Sequence, residues 1–202
     1  MIILDKPYVS DLLKTTLSIH RFPVLKNDAA NYFNLGNEYN LISGNQAAFE
    51  LNNKTKPKIY TNSENAIGWI SKHLKDTDLP EKINLFKDKL KFRELVKDMF
   101  PDFYFKKVPF HRLNSINIED TPKPFIIKPS VGFFSMGVYK VEKNSQWPGV
   151  IIKIKQEMEK VKALYPEAVM DTSTFIIEQN INGDEYAFDV YFNENSEPVI
   201  LG

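Results

Sequence analysis

A single lysine, Lys128, ends the apolar run Phe125-Ile126-Ile127 and leads into Pro129-Ser130-Val131-Gly132-Phe133-Phe134-Ser135-Met136-Gly137. The apolar run implies a buried strand, so a lysine at its end has limited freedom. An ammonium held there without a counter-charge would cost several kcal/mol, on the order of the usual desolvation penalty. A phosphate would supply the charge; a lysine stem snorkelling to solvent at the strand end would serve equally. The loop adds donors. Gly132 and Gly137 permit backbone N–H groups to face an anion, and Ser130 and Ser135 carry hydroxyls. The spacing is G-x-x-x-x-G, but Val138-Tyr139 follows where a P-loop requires Lys and Ser or Thr, so that motif is rejected. The loop also lies between two apparent strands, as an ordinary long hairpin turn would. Phe133 and Phe134 suit a plain solvent turn poorly; they could close over a nucleotide or pack against another region.

Two carboxylates follow at a spacing of seven, Glu178 and Glu185, in Glu178-Gln179-Asn180-Ile181-Asn182-Gly183-Asp184-Glu185. In an extended strand Glu178 shares a face with Ile176. It could accept from an adenine amino group, with the Gln179–Ile181 backbone beside the ring nitrogens and both oxygens of Glu185 on ribose hydroxyls. Alternation from Glu185 to Phe192 puts Tyr186, Phe188, Val190 and Phe192 on a core face and Glu185, Ala187, Asp189 and Tyr191 on the other. A half-buried hairpin with a solvated acidic face fits the same pattern.

The elements that must hold these residues follow from periodicity. Short strands are predicted at Ile2–Leu4, Phe22–Leu25, Tyr39–Ser43 and Lys58–Thr61, with helices starting near Ser10, Asp28, Asn45 and Ser63. The βαβα order predicts a parallel sheet covered by helices. Ser63 is a candidate cap for a helix burying Ile67, Ile70 and Leu74. No G-x-G-x-x-G occurs, which removes the phosphate-binding turn of a dinucleotide fold. Beyond Leu79-Pro80, a helix is predicted over Asp88–Phe100, ended by Pro101, then a strand at Tyr104–Val108 and a polar loop over His111–Lys123. Phe125–Lys128 and Val138–Val141 form a hairpin, Trp147–Tyr165 a helix. Phe175–Gln179, Glu185–Phe192 and Pro198–Leu201 are predicted to form an antiparallel meander.

Composition narrows the classes. With 26 basic and 26 acidic residues the net charge is zero, which argues against a dedicated nucleic-acid binder. There is no cysteine, which excludes disulfides and thiolate chemistry. The start, Met1-Ile2-Ile3-Leu4-Asp5-Lys6-Pro7, lacks the basic and long apolar segments of a signal peptide, and no run suits a membrane span, so the expected location is cytoplasmic. His20, His73 and His111 show no metal-ligand spacing.

Asp88-Lys89 opening a helix, Lys128 ending an apolar strand, the Gly132–Gly137 loop, and Glu178 with Glu185 occur in the order seen in ATP-grasp enzymes. The chain resembles the N-terminal half of an ATP-grasp ligase, especially those similar to the carbamoyl-phosphate synthetase large subunit. The resemblance covers Asp88 to Gly202 most fully. It implies an α/β and α+β architecture: a parallel-sheet pre-ATP-grasp domain over residues 1–85, then a partial ATP-grasp domain with an antiparallel sheet over 86–202, its lid about 122–175. It further implies that Lys89 and Lys128 contact ATP phosphates, with Lys128 also near the adenine. The loop from Ser130 through Ser135 to Gly137 would fold over those phosphates. Glu178 would read the adenine amino group, the backbone of Gln179, Asn180 and Ile181 the ring, and Glu185 the ribose.

The activity implied is a carboxylate–amine or related ligation through an acylphosphate, with ATP, Mg²⁺ and a carboxylate substrate. The family's magnesium ligands lie on later strands, so they are expected beyond Gly202. The resemblance thus implies a truncated gene product, a fragment or a split subunit, with a C-terminal half or a homo-oligomer as partner. The alternative is a non-catalytic nucleotide-binding or assembly module.

Overall fold

The computed structural model describes residues 1–61, 63, 66–132, 135–162, 171–193, 195 and 197–202, with 161 and 162 described by backbone alone. Four short strands, β1 (Ile2–Ile3), β2 (Pro23–Leu25), β3 (Asn40–Ile42) and β4 (Tyr60–Thr61), form a parallel sheet in the order β3-β2-β1-β4. Strand alternation sends successive side chains to opposite faces. Ile3 and Leu25 therefore join one core with Ile42, Leu51, Ile70 and Leu74, while Leu4 and Val24 join another with Val9, Leu17 and Leu35. Burial on both faces is what a parallel sheet with helical crossovers requires.

The covering helices begin where short polar side chains can cap them. Ser10 Oγ accepts from Leu13 N–H at the start of α1 (Asp11–His20). Asn27 and Ser43 do the same for α2 (Asp28–Tyr32) and α3 (Gly44–Asn52). The fourth helix, α4 (Ala66–His73), buries Ala66 and Ile70, with Leu74 just past its end. Ser63 donates instead to Asp5 Oδ2 at 2.8 Å, and residues 64 and 65 lie outside the described residues.

Helices α5 (Leu79–Lys87) and α6 (Lys89–Val96) lead into a second, antiparallel sheet. Its strands are β5 (Phe105–Pro109), β6 (Phe125–Pro129), β7 (Tyr139–Val141) and β8 (Thr174–Gln179), in the order β5-β8-β6-β7. Helix α7 (Trp147–Lys162) packs on one face. There Ile151, Ile154 and Met158 meet Phe125, Ile127, Val141, Phe175 and Ile177 in a core that holds the largest fully buried side chains of this sheet. A two-stranded ribbon, β9 (Val190–Phe192) with β10 (Pro198–Ile200), follows. Among the described residues no helix is long and apolar enough to cross a membrane.

Three expectations change. The helix predicted over Asp88–Phe100 ends at Val96, where Phe100 N–H turns back to the Val96 and Lys97 carbonyls; Leu95 and Met99 are exposed. The polar loop after β5 contains a 3-10 helix over Phe110–Ser115, anchored by buried Leu113. The helix predicted to Tyr165 is described to Lys162, and residues 163–170, Tyr165 among them, lie outside the described residues.

The meander is corrected most. Strand β8 pairs with β5 and β6, not with the segment after it, and the strand predicted over Glu185–Phe192 shrinks to Val190–Phe192. Tyr186, Phe188, Val190 and Phe192, expected in a core, are all exposed. Alternation reports that one face of a strand is apolar; it does not supply the layer that would cover it.

Candidate nucleotide site

Two sheet positions bring the main predicted residues together. Directly opposed residues in an antiparallel pair share a face. Lys128 opposes Ile176, and Ile126 opposes Glu178, so Lys128 and Glu178 are diagonal neighbours on one face of β6 and β8. The face is opposite to the α7 core. Diagonal neighbours are within reach of long side chains, and Lys128 Nζ donates to Glu178 Oε1.

Helix α6 lies over this face and adds a residue that sequence reading had left out. Arg93 Nε donates to Glu178 Oε2 at 2.9 Å, and its guanidinium sits over the Phe103 ring with 4.3 Å to the centroid. Glu178 is therefore 5% exposed and shared by two cations. Burial alone would raise its pKa; hydrogen bonds from Arg93 and Lys128, with their charges, outweigh burial and hold the carboxyl below its ordinary value. The signal for Arg93 was in the spacing, since it stands four residues after Lys89 and so on the same helical face.

The first turn of α6 is tied to the end of β6. Asp88 caps the helix, Oδ1 accepting from Leu90 N–H at 3.0 Å and Lys91 N–H at 3.4 Å, and it also accepts from Ser130 Oγ. Lys89 N–H donates to Ser130 O at 2.8 Å, and Lys89 Nζ donates to Gly132 O at 3.0 Å. Thus Lys89 reaches the loop that follows Lys128. Ser130 itself is buried and linked to Asp88, so its hydroxyl ties the helix to the strand.

The rest of the predicted set is placed as follows. Ser135 and Gly137 both have positive φ, at 56° and 71°, in a turn closed by Val138 N–H to Ser135 O at 3.3 Å. A Cβ on Gly137 would crowd Met158 Cε at 2.9 Å and Pro129 Cγ at 3.0 Å; it is the positive φ that favours glycine there. Phe133 and Phe134, read as a possible lid, lie outside the described residues.

Of the backbone segment expected beside a base, Gln179 N–H donates to Tyr104 O and Asn180 N–H to Pro124 O, both at 3.0 Å. Tyr104 N–H in turn donates to Gln179 Oε1 at 2.9 Å. No described residue accepts Ile181 N–H, which makes it the donor of the three open to a ligand. Glu185 is exposed in an irregular stretch before β9 and is not brought against Lys128 or Glu178 by any described contact.

A cavity of about 570 Å³ opens beside α6, walled by Asp88, Leu90, Glu94, Lys107, Asp171 and Thr174 among others. Lys128 and Glu178 are not among the residues that wall it. Among the described residues no group of three or more His, Asp or Glu side chains could hold a metal ion. The described residues therefore do not fit a magnesium site.

The structure thus groups a lysine on a buried strand, a turn with positive φ beyond it, and a carboxylate diagonal to it. Residues 121–202 match the family model of the ATP-grasp domain. The matched segment contains Lys128, the loop, Glu178 and Glu185, while Lys89 and Arg93 precede it. No curated protein matches the chain.

Among solved structures, an L-amino acid ligase from Bacillus licheniformis is similar over 99% of this chain and 50% of its own, with a TM-score of 0.62 and 14% identity. An ADP complex of N5-carboxyaminoimidazole ribonucleotide synthetase has a TM-score of 0.46 and 13% identity over 98% of this chain and 51% of its own. A D-alanine–D-alanine ligase from Helicobacter pylori has a TM-score of 0.43 and 16% identity over 66% of this chain and 38% of its own. At its identity, the first establishes a shared fold, a parallel sheet followed by an antiparallel one. The chain spans about half the length of that ligase.

Proposed function

We propose that this chain is the ATP-binding portion of an ATP-grasp carboxylate–amine, or related, ligase. The observation that supports it best is the convergence, within the matched segment, of Lys128 and Glu178 on one sheet face, with Lys89 reaching the adjoining loop. In this reading residues 1–85 and 86–202 are the preceding α/β domain and the partial ATP-grasp domain. The phosphates lie along Lys89, Lys128 and the Ser135–Gly137 turn. The adenine lies against Glu178 and Ile181 N–H, and the ribose near Glu185. Charge-assisted hydrogen bonds are each worth roughly 1.5–3 kcal/mol. A few of them, less the ordering costs, give affinities of about micromolar to millimolar.

The chemistry proposed is attack of a substrate carboxylate oxygen on the ATP γ-phosphorus, releasing ADP, followed by displacement of phosphate from the acylphosphate by an amine. The chain's own residues contribute by positioning and by charge complementarity. Magnesium ligands and much of the acceptor site come, in this proposal, from sequence outside these residues, in the same polypeptide or in a partner. The exposed apolar side chains of the β9–β10 ribbon, including Phe192 and Ile200, suit such a cover. A subfamily likeness to the carbamoyl-phosphate synthetase large subunit belongs to the same proposal.

Isothermal calorimetry with ATP tests the site. Lys128→Ala is expected to weaken binding by about tenfold or more. Equal affinity for native chain and variant would remove Lys128 from the site and the reading with it.

A further inference from the structure

Glu178 carries two cations where the proposed role of base recognition needs only an acceptor. Lys128 and Arg93 come from different elements, β6 and α6, and bind different oxygens of the carboxylate. The two cations are not equivalent. Lys128 is on the strand that leads into the glycine turn, so its ammonium is the one able to turn toward a phosphate. Arg93 is held over the Phe103 ring, and its side chain is 20% exposed. A planar guanidinium stacked on a ring keeps its place better than a flexible ammonium does.

A buried carboxylate left without a partner is strongly penalised. If Lys128 were the sole partner of Glu178, a phosphate could recruit Lys128 only by stranding that charge. We infer that Arg93 is a positioning residue for nucleotide binding: it keeps Glu178 paired and aimed when Lys128 turns to the phosphate, and so preserves Glu178 as an acceptor for an amino-bearing base. This rests on the ATP-site reading above. An ionised carboxylate with one cation retains acceptor capacity on both oxygens and has no proton to donate. It therefore favours the adenine amino group and disfavours a base that presents a carbonyl at the same position. Without Arg93, Glu178 either retains Lys128, to the cost of the phosphate, or takes up a proton and accepts either base.

The test uses the full 202-residue chain and calorimetry with ATP, inosine triphosphate and inorganic tripolyphosphate. The native chain is expected to prefer ATP over inosine triphosphate by about tenfold or more, the scale of one charge-assisted hydrogen bond. Arg93→Gln, which leaves Lys128 to pair Glu178 in the unliganded fold, is expected to lose most of that preference and to weaken ATP binding; Arg93→Lys recovers part of both. Far-ultraviolet circular dichroism and thermal unfolding of each unliganded variant confirm the fold, and a general loss of structure would lower tripolyphosphate binding in Arg93→Lys as well. An unchanged ATP preference and unchanged ATP affinity in folded Arg93→Gln, with binding still lost in Lys128→Ala, would overturn the inference and leave the ATP site standing. Equal ATP binding by Lys128→Ala and native chain would overturn both.

Discussion

Glu178→Ala is expected to lower the unfolding free energy by about 3 kcal/mol, the lower end of the cost of breaking a buried ion pair. Two cations lose the acceptor they share, in a region where Glu178 is 5% exposed. Both Arg93 and Lys128 keep 20% side-chain exposure, so each can shift toward water and the loss stays below the value for full burial. Glu178→Gln retains the shape and one acceptor, and is expected to cost roughly half as much. Urea denaturation measures both.

The same carboxylate sets an acid response. Its folded-state pKa is below the unfolded value, because the hydrogen bonds from Arg93 and Lys128 outweigh burial. Its contribution is therefore complete above the ordinary carboxyl pKa and is lost as the pH falls through the depressed folded value. Native chain should lose more stability than Glu178→Gln between about pH 7 and about pH 3. Equal losses would show that the carboxylate is not paired as described.

Phe175→Ala should cost more, about 4 kcal/mol. The side chain is fully buried on a central strand of the antiparallel sheet, in one core with Ile127 and Ile177, and its ring stacks on Phe110 at 5.9 Å between centroids. Removing it leaves a cavity that a strand paired on both sides cannot readily close. Phe188 makes the contrast, since it is exposed despite its place in an alternating apolar pattern. Phe188→Ala is expected to change stability by no more than about 0.5 kcal/mol. A cost for Phe188 similar to that of Phe175 would restore the core face that alternation predicted.

These two phenylalanines also show where the amino-acid sequence was informative. Strands β6 and β8 were legible because each carries a short apolar run, and β8 is buried on both faces from Phe175 to Ile177. The parallel sheet was legible because short apolar runs alternate with helical patterns between Ile2 and His73. Strand order in the second sheet was not legible. Inserting β8 between β5 and β6 is a long-range choice, and a nearby turn at Asn182-Gly183 falsely favoured local pairing. Within the site, Lys128 and Glu178 could be identified separately from strand ends and spacing, but their ion pair spans 50 residues and depends on that strand order. The Asp88–Ser130 bond, across 42 residues, was hidden for the same reason. Arg93 was within reach of sequence reading by its helical spacing from Lys89; nothing marked its partner as Glu178 until α6 was laid over the sheet.

The most direct test of the nucleotide face is an amide NMR titration of the ¹⁵N-labelled chain with ATP. The account predicts perturbations at Ile181, whose N–H is given to no described acceptor, at residues flanking Lys128 and in the Ser135–Gly137 turn, with the parallel sheet of β1–β4 little affected. Perturbations confined to that parallel sheet, or none at about 10 mM ATP, well above the affinity range expected for such a site, would contradict it.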